Sequence, residues 1–277
     1  MVIEKPIITL IGAGHMGSAL IGGLIAHDHP AEKLVASDPS QEALDALQKK
    51  FHLSVTTDNK IAIQNADVII LAVKPPLVSV IAKELASLIQ THKPLIISIA
   101  AGIEVKTLEE PLGNDIAIVR VMPNTPALIG CGASALYANA AATDKHRALA
   151  QAILQCVGIT VWVKEEKHIN AVTALSGSGP AYFFLIMEAM QEAGVELGLT
   201  TEISHLLTLQ TAYGAARLAQ TSQASLQELR HQVTSKGGTT ESALQVFEKG
   251  ALCPLIKKAL HAAYERATEL GKGEISS

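Results

Sequence analysis

Ile7-Ile8-Thr9-Leu10-Ile11-Gly12-Ala13-Gly14-His15-Met16-Gly17 decides the fold of the first half of this chain. A short β-branched run reads as a buried strand. It leads into a GxGxxG turn, and the spacing of Met16, Leu20, Leu24 and Ile25 makes His15–His27 a helix. Strand, glycine turn and helix in that order form the context of a dinucleotide fingerprint. Gly12 permits the tight turn, Gly14 the approach of a pyrophosphate, and Gly17 close helix–sheet packing. Ala13, His15 and Met16 complete the expected cofactor loop.

Outward from this unit, strand and helix alternate. Strands are predicted at 34–37, 53–55, 68–73, 95–99 and 116–122, with helices at about 40–50 and 76–90. Later strands at 132–137 and 159–163 flank a helix at 143–156. Alternation of this kind predicts a mostly parallel, doubly wound α/β sheet with helices on both faces. After Val163 the texture changes to Ala, Leu, Gln and Glu. Helices are predicted at 168–175, 179–197, 201–220, 225–231, 240–249 and 253–270, with a frayed tail from Gly271 to Ser277.

Bulk properties narrow the classes. The 277 residues carry 48% hydrophobic and 17% charged residues but only 3% aromatics, and mean hydropathy is +0.29. That surplus of small apolar residues suits helix packing and burial between subunits. A net charge of −4 without a basic run argues against nucleic acid. The apolar run at Val68–Val73 is too short to span a bilayer, and a strand starting near residue 7 leaves no room for a signal peptide, so no membrane partner and a cytoplasmic location are expected. Cys131, Cys156 and Cys253 read as reduced core thiols. His27-Asp28-His29 reads as an exposed helix end, and no metal site is expected.

Three strand ends should line the ribose and nicotinamide side of the cofactor: Ala72-Val73-Lys74-Pro75, Ser98-Ile99-Ala100-Ala101-Gly102 and Met122-Pro123-Asn124-Thr125-Pro126. Open α/β sheets bind ligands at such carboxyl ends. Asp38 stands 21 residues past Gly17, which favours NADH, whereas Ser37 takes the usual acidic position if the strand ends there. A neutral hydroxyl tolerates a 2′-phosphate, and no Arg stands nearby to bind one. Leu175-Ser176-Gly177-Ser178-Gly179-Pro180 is a small-residue break that suits close backbone approach. Ser235-Lys236-Gly237-Gly238-Thr239-Thr240 joins two glycines, three hydroxyls and the start of a helix, the elements of a second anion cradle. Glu165-Glu166-Lys167-His168 is most simply a solvated helix start. No GxSxG, HExxH or CxxC occurs. A dinucleotide site without an evident acid, base or metal suits hydride transfer to an already protonated imine.

GAGHMGSAL at 12–20, AVKP at 72–75, SIAAG at 98–102, MPNTPALIGCG at 122–132, LSGSGPAY at 175–182 and SKGGTT at 235–240 together resemble the pyrroline-5-carboxylate reductases. The resemblance implies a Rossmann-type domain followed by an all-helical substrate-binding and dimerisation domain, and the change of texture sets their bounds at 1–164 and 165–277. It implies dimers with interlocking helices, often assembled further into decamers. It implies reduction of a small imino acid, L-1-pyrroline-5-carboxylate, to L-proline by NAD(P)H, with NADPH slightly favoured. Ser37, Asp38, Ser40 and Asn59 should lie near the adenosine ribose. Ala72–Pro75 and Ala100–Gly102 should follow the nicotinamide half. Ser235, Gly237, Gly238, Thr239 and Thr240 should bind the substrate carboxylate, with Thr240 the candidate catalytic hydroxyl and Glu166 on the substrate side. The family usually has Pro at Lys236 and often Asp at His231. GAGHMGSAL also suits a β-hydroxyacid dehydrogenase or a non-catalytic nucleotide sensor on the same fold. The former lacks a suitable catalytic lysine here, and the latter leaves the 235–240 cradle without a purpose.

Overall fold

The computed structural model describes residues 5–271. Its first half is an eight-stranded sheet in the order β3-β2-β1-β4-β5-β6-β7-β8. The chain runs β1 (Ile8–Ile11), α1 (His15–Ala26), β2 (Leu34–Ser37), α2 (Gln41–Phe51), β3 (Ser54–Thr56), α3 (Asn59–Ala62), β4 (Val68–Leu71), α4 (Pro75–His92) and β5 (Leu95–Ser98). It continues through α5 (Val105–Leu112), β6 (Ile118–Met122), β7 (Gly132–Ala138), α6 (Asp144–Gln155), β8 (Gly158–Trp162) and α7 (His168–Val172). All pairings are parallel except β6 with β7, where the chain turns back directly.

Parallel strands covered on both faces read as near-continuous apolar runs. β1, β4 and β5 are buried at every position. Alternate residues feed two cores, one on each face. Ile8, Leu10, Val68 and Ile70 pack with α1 residues Leu20 and Leu24, while Ile11, Ile69 and Leu71 pack with α4 residues Val78 and Leu85. The first six strands follow the Rossmann order, which places the carboxyl ends of β1 and β4 side by side at the glycine loop.

The rest is helical: α8 (Gly179–Glu196), α9 (Thr201–Thr221), α10 (Leu226–Gln232), α11 (Thr239–Lys249) and α12 (Leu252–Gly271). Packing divides the chain into two compact units, one up to Ser178 and again from Ala263, the other Gly179–Ala262. Sequence texture placed the boundary after residue 164. Within the helical unit α8 and α9 form a pair, and the Ser204 hydroxyl donates to the Gln191 carbonyl at 2.7 Å. No apolar side chain of Gly179–Ala262 is buried in the single chain, and Phe183, Phe184, Leu185 and Leu206 are each more than 60% exposed. An apolar surface of that extent marks an interface. By length and hydropathy the stretch 168–196 also meets the criterion for a membrane span; a helix covered by a second copy has the same composition.

Several local expectations change. The small-residue break at 175–180 begins inside a π-helical turn, Thr173–Gly177, with the Ser178 amide bonded to the Thr173 carbonyl at 2.8 Å. Such turns occur frequently at functional sites. The short helices α3 and α5 were not anticipated. The cysteines are free thiols but not core residues: Cys131 and Cys253 are exposed and Cys156 is half-buried. His29 is not an exposed helix end. Its ring is buried, Nε2 has no partner among the described residues, and burial lowers its pKa, assisted by nearby Lys5. Gly271 closes α12, and the remainder of the predicted frayed tail lies outside the described residues.

Candidate active site

The sheet half holds every residue expected at the cofactor. Gly12 has φ +108°, a conformation that favours glycine, and a Cβ built there would stand 2.6 Å from the Ala72 carbonyl oxygen. Its amide donates to the Ser37 carbonyl at 2.7 Å. Gly17 is equally constrained, because a Cβ would strike the Gly12 carbonyl, whereas Gly14 has open space on its Cα. α1 begins after Gly14 without a side-chain cap or a first-turn acid. Its first amides therefore lack an internal partner, and the helix dipole favours an anion there. Gly14 and His15 are exposed, while Ala13 and Met16 are half-buried.

Asp38 braces this loop. Its Oδ2 accepts from the Ala13 amide at 2.8 Å and its Oδ1 from the Ser40 amide at 2.9 Å. Ser40 caps α2 through its own hydroxyl. β2 ends at Ser37, as one of the two sequence alternatives required. Ser37 is fully buried, and its hydroxyl donates to Asn59 Oδ1 at 2.7 Å, so it reaches the adenosine side only through Asn59.

At the other strand ends, Lys74 is exposed and precedes Pro75, the first residue of α4. Ala100 is buried, Ala101 exposed, and Gly102 has φ +73° with Leu270 of α12 close over its Cα. Ser98, at the carboxyl end of β5, has a buried hydroxyl without a partner among the described residues. Asn124 is occupied structurally: Nδ2 donates to the Ser176 carbonyl at 3.0 Å and Oδ1 accepts from the Ala133 amide at 2.8 Å. It ties the Met122–Pro126 turn to the π-helical segment.

Glu166 also belongs to this half. Its Oε1 accepts from Arg120 Nη1 at 2.8 Å and from the Val105 amide at 2.7 Å. Arg120 is 3% exposed. Sequence reasoning missed Arg120, although a lone cation inside Ile118–Met122, an otherwise apolar strand, was the available signal.

The helical unit holds the second cradle. Gly237 has φ +73°, and its amide donates to Glu241 Oε2 at 2.7 Å. Gly238 caps α11 and donates to the Ser235 carbonyl at 3.0 Å, and a Cβ on it would meet the Ser235 hydroxyl. Thr239 and Thr240 open the helix, and neither hydroxyl has a hydrogen-bond partner among the described residues. Glu241 was also missed; an acid three positions after the cap residue was its signal.

Comparison with known proteins decides the family. A relative from Pseudomonas aeruginosa named pyrroline-5-carboxylate reductase is 46% identical over 270 residues, covering 98% of each chain. This chain belongs to the pyrroline-5-carboxylate reductase family. The family description "Pyrroline-5-carboxylate reductase dimerisation" matches residues 166–270, so the helical part of this reductase is a dimerisation domain. The description "NADP oxidoreductase coenzyme F420-dependent" matches residues 7–102. A solved pyrroline-5-carboxylate reductase from Coxiella burnetii superposes with TM-score 0.93 at 44% identity, covering 96% of this chain and 99% of that one. A Plasmodium falciparum pyrroline carboxylate reductase with NADP bound gives TM-score 0.86 at 31% identity, covering 97% and 99%. The glycine constraints and the uncapped start of α1 fit a dinucleotide pyrophosphate in this reductase. Among the described residues no group of three His, Cys, Asp or Glu could hold a metal.

Proposed function

We infer that the chain catalyses reduction of L-1-pyrroline-5-carboxylate to L-proline with NAD(P)H, the last step of proline biosynthesis. End-to-end similarity to reductases of that name carries the reading. When bound, the nicotinamide supplies hydride. Gly12–Gly17 would receive the pyrophosphate, and Asp38, Ser40 and the Ser37–Asn59 pair would flank the adenosine ribose. Ala72–Pro75, Ala100–Gly102 and Asn124 would shape the nicotinamide side. Ser235, Gly237, Gly238, Thr239 and Thr240 would hold the substrate carboxylate, with Glu166 on the substrate side. Residues 165–277 act as the substrate-binding and dimerisation domain, whose helices interlock with those of a second copy and which supports further assembly to a decamer. The enzyme is cytoplasmic and works without membrane or nucleic acid. The decisive assay follows NADPH and NADH oxidation with pyrroline-5-carboxylate; no turnover with either cofactor overturns the reading.

The substrate's carboxylate needs donors, and its imine nitrogen needs a proton. Thr240 offers an uncommitted hydroxyl on the first turn of α11, where the helix start favours an anion. Thr240→Ala is expected to lower kcat by about 100-fold, the lower range for a positioned proton donor. Cofactor affinity should stay unchanged. A silent Thr240→Ala would remove this residue from the chemistry.

Asp38 bears on cofactor choice. No Lys, Arg or His lies between Lys33 and Lys49, so the β2–α2 turn offers a carboxylate and no cation to a 2′-phosphate. The neutral Ser37–Asn59 pair tolerates that phosphate, and we propose that both cofactors serve. Asp38→Asn is expected to raise kcat/KM for NADPH relative to NADH by about 10-fold, the effect of removing one like charge at short range. An unchanged ratio would show that the 2′ group lies elsewhere.

A further inference from the structure

We propose that Arg120 and Glu166 form a positioning pair that fixes the nicotinamide-side loop Ala100–Gly102 through the amide of Val105. The proposal rests on the cofactor placement inferred above.

Arg120 lies on β6, opposite Ser98 of β5 in register, and its side chain is almost wholly buried. A cation so placed requires a partner. Its only ion-pair partner among the described residues is Glu166, on the segment between β8 and α7. The same carboxylate oxygen receives the amide of Val105, the first residue of α5. That helix has no cap of its own: Glu104 at the cap position makes no side-chain hydrogen bond, and the first turn holds no acid. Glu166 therefore caps α5 from 61 positions along the chain, and Arg120 holds the capping carboxylate in place. A carboxylate at a helix start is favoured by both hydrogen bonding and the dipole.

Only Ile103 and Glu104 separate Val105 from Gly102. Fixing the Val105 amide therefore fixes the loop's far end, while β5 fixes its near end at Ser98. Leu270 and Gly271 of α12 lie against Gly102 and Glu104, closing the loop from above. A cofactor ring presented to a substrate needs its supporting backbone held to a fraction of an ångström. The pair supplies that restraint without touching the reacting atoms.

The test compares two ligands on the apo full-length dimer. One is NADPH; the other is 2′,5′-ADP, which carries the adenosine end without nicotinamide. Glu166→Gln keeps the size of the side chain and an acceptor for Val105 but removes the anion and leaves the buried Arg120 cation without its counter-charge. It is expected to raise the NADPH Kd by about 5–10-fold and to leave the 2′,5′-ADP Kd within about 2-fold, because only the nicotinamide side loses its support. Amide hydrogen exchange at Val105 should quicken. Arg120→Met should reproduce the NADPH effect, and Arg120→Met with Glu166→Gln should be no worse than Arg120→Met alone. Equal weakening of both ligands, or a lower Tm with NADPH affinity intact, would overturn the proposal and leave a purely structural ion pair. A change confined to the KM of pyrroline-5-carboxylate would overturn it in favour of direct substrate contact. If the variants show the ligand pattern but the wild-type protein does not turn over pyrroline-5-carboxylate, the activity is refuted and the positioning pair stands.

Discussion

Gly12→Ala is expected to abolish cofactor binding and to destabilise the sheet half, whereas Gly14→Ala should abolish binding alone. The two glycines share one motif and differ in what surrounds them. Gly12 sits at φ +108°, and an added Cβ would lie 2.6 Å from the Ala72 carbonyl oxygen. Backbone strain and that collision together cost on the order of 3 kcal/mol or more. Relief requires the ends of β1 and β4 to separate, which moves the Gly12–Gly17 loop and the Ala72–Pro75 turn together. A Tm loss of about 5–10 °C follows for a chain of this size. Gly14 has no neighbour within 4 Å of its virtual Cβ and an ordinary φ of −69°. Alanine there leaves the folded chain untroubled and obstructs only what approaches from outside. Calorimetric titration with NADPH and thermal unfolding separate the cases: both variants should lose at least about 100-fold in affinity, equivalent to 2.7 kcal/mol, and only Gly12→Ala should lose Tm. A Gly14→Ala protein with normal NADPH affinity would place the pyrophosphate elsewhere.

A charge on the bare helical surface should be as damaging, by a different route. The unit Gly179–Ala262 buries no apolar side chain within one chain, and Phe184 and Leu206 are 63% and 66% exposed. Burying one such side chain is worth roughly 1.5–3 kcal/mol, so several of them dominate the stability of the assembled form. Leu206→Asp combined with Phe184→Asp is expected to raise the dimer dissociation constant by more than about 1,000-fold, near 4 kcal/mol. Unfolding of the native protein should shift to higher temperature with protein concentration, as for a folded state coupled to association. The variant should lose that dependence and lose solubility. A dimer of native stability after both substitutions would mean that a different surface carries self-association.

The sheet half was legible because its signals are local. A strand buried on both faces is an unbroken apolar run, as at Val68–Leu71, and the glycine turn states its own geometry. The helices α3 and α5 escaped notice because four and eight residues show too little periodicity, and Pro111 obscures the second. His29 was misjudged because two neighbouring polar residues made the helix end look solvated. The site splits along the same line. Gly12, Gly17 and Gly237 were readable from residue type alone. The Asp38 brace on Ala13, the Asn124 tie to Ser176 and the Glu166–Arg120 pair join residues 25, 52 and 46 positions apart, and no local pattern encodes such pairings. The functional reading of the 235–240 loop came from its motif, but the hold of Glu241 on the Gly237 amide needed the folded chain.

The last helix carries a consequence for how the protein is made. Leu270 covers Gly102, and Thr268 accepts a hydrogen bond from Asn170 Nδ2 at 3.3 Å. Both contacts belong to the unit that begins at the amino end of the chain. During synthesis, β1 to β5 and the Gly12–Gly17 loop leave the ribosome long before residue 268 exists. The apolar core of the sheet half is therefore synthesised in full while the Ala100–Gly102 loop still lacks its cover from α12. The cover of Leu270 over Gly102 and the tie of Thr268 to Asn170 are completed only when translation reaches the end of α12.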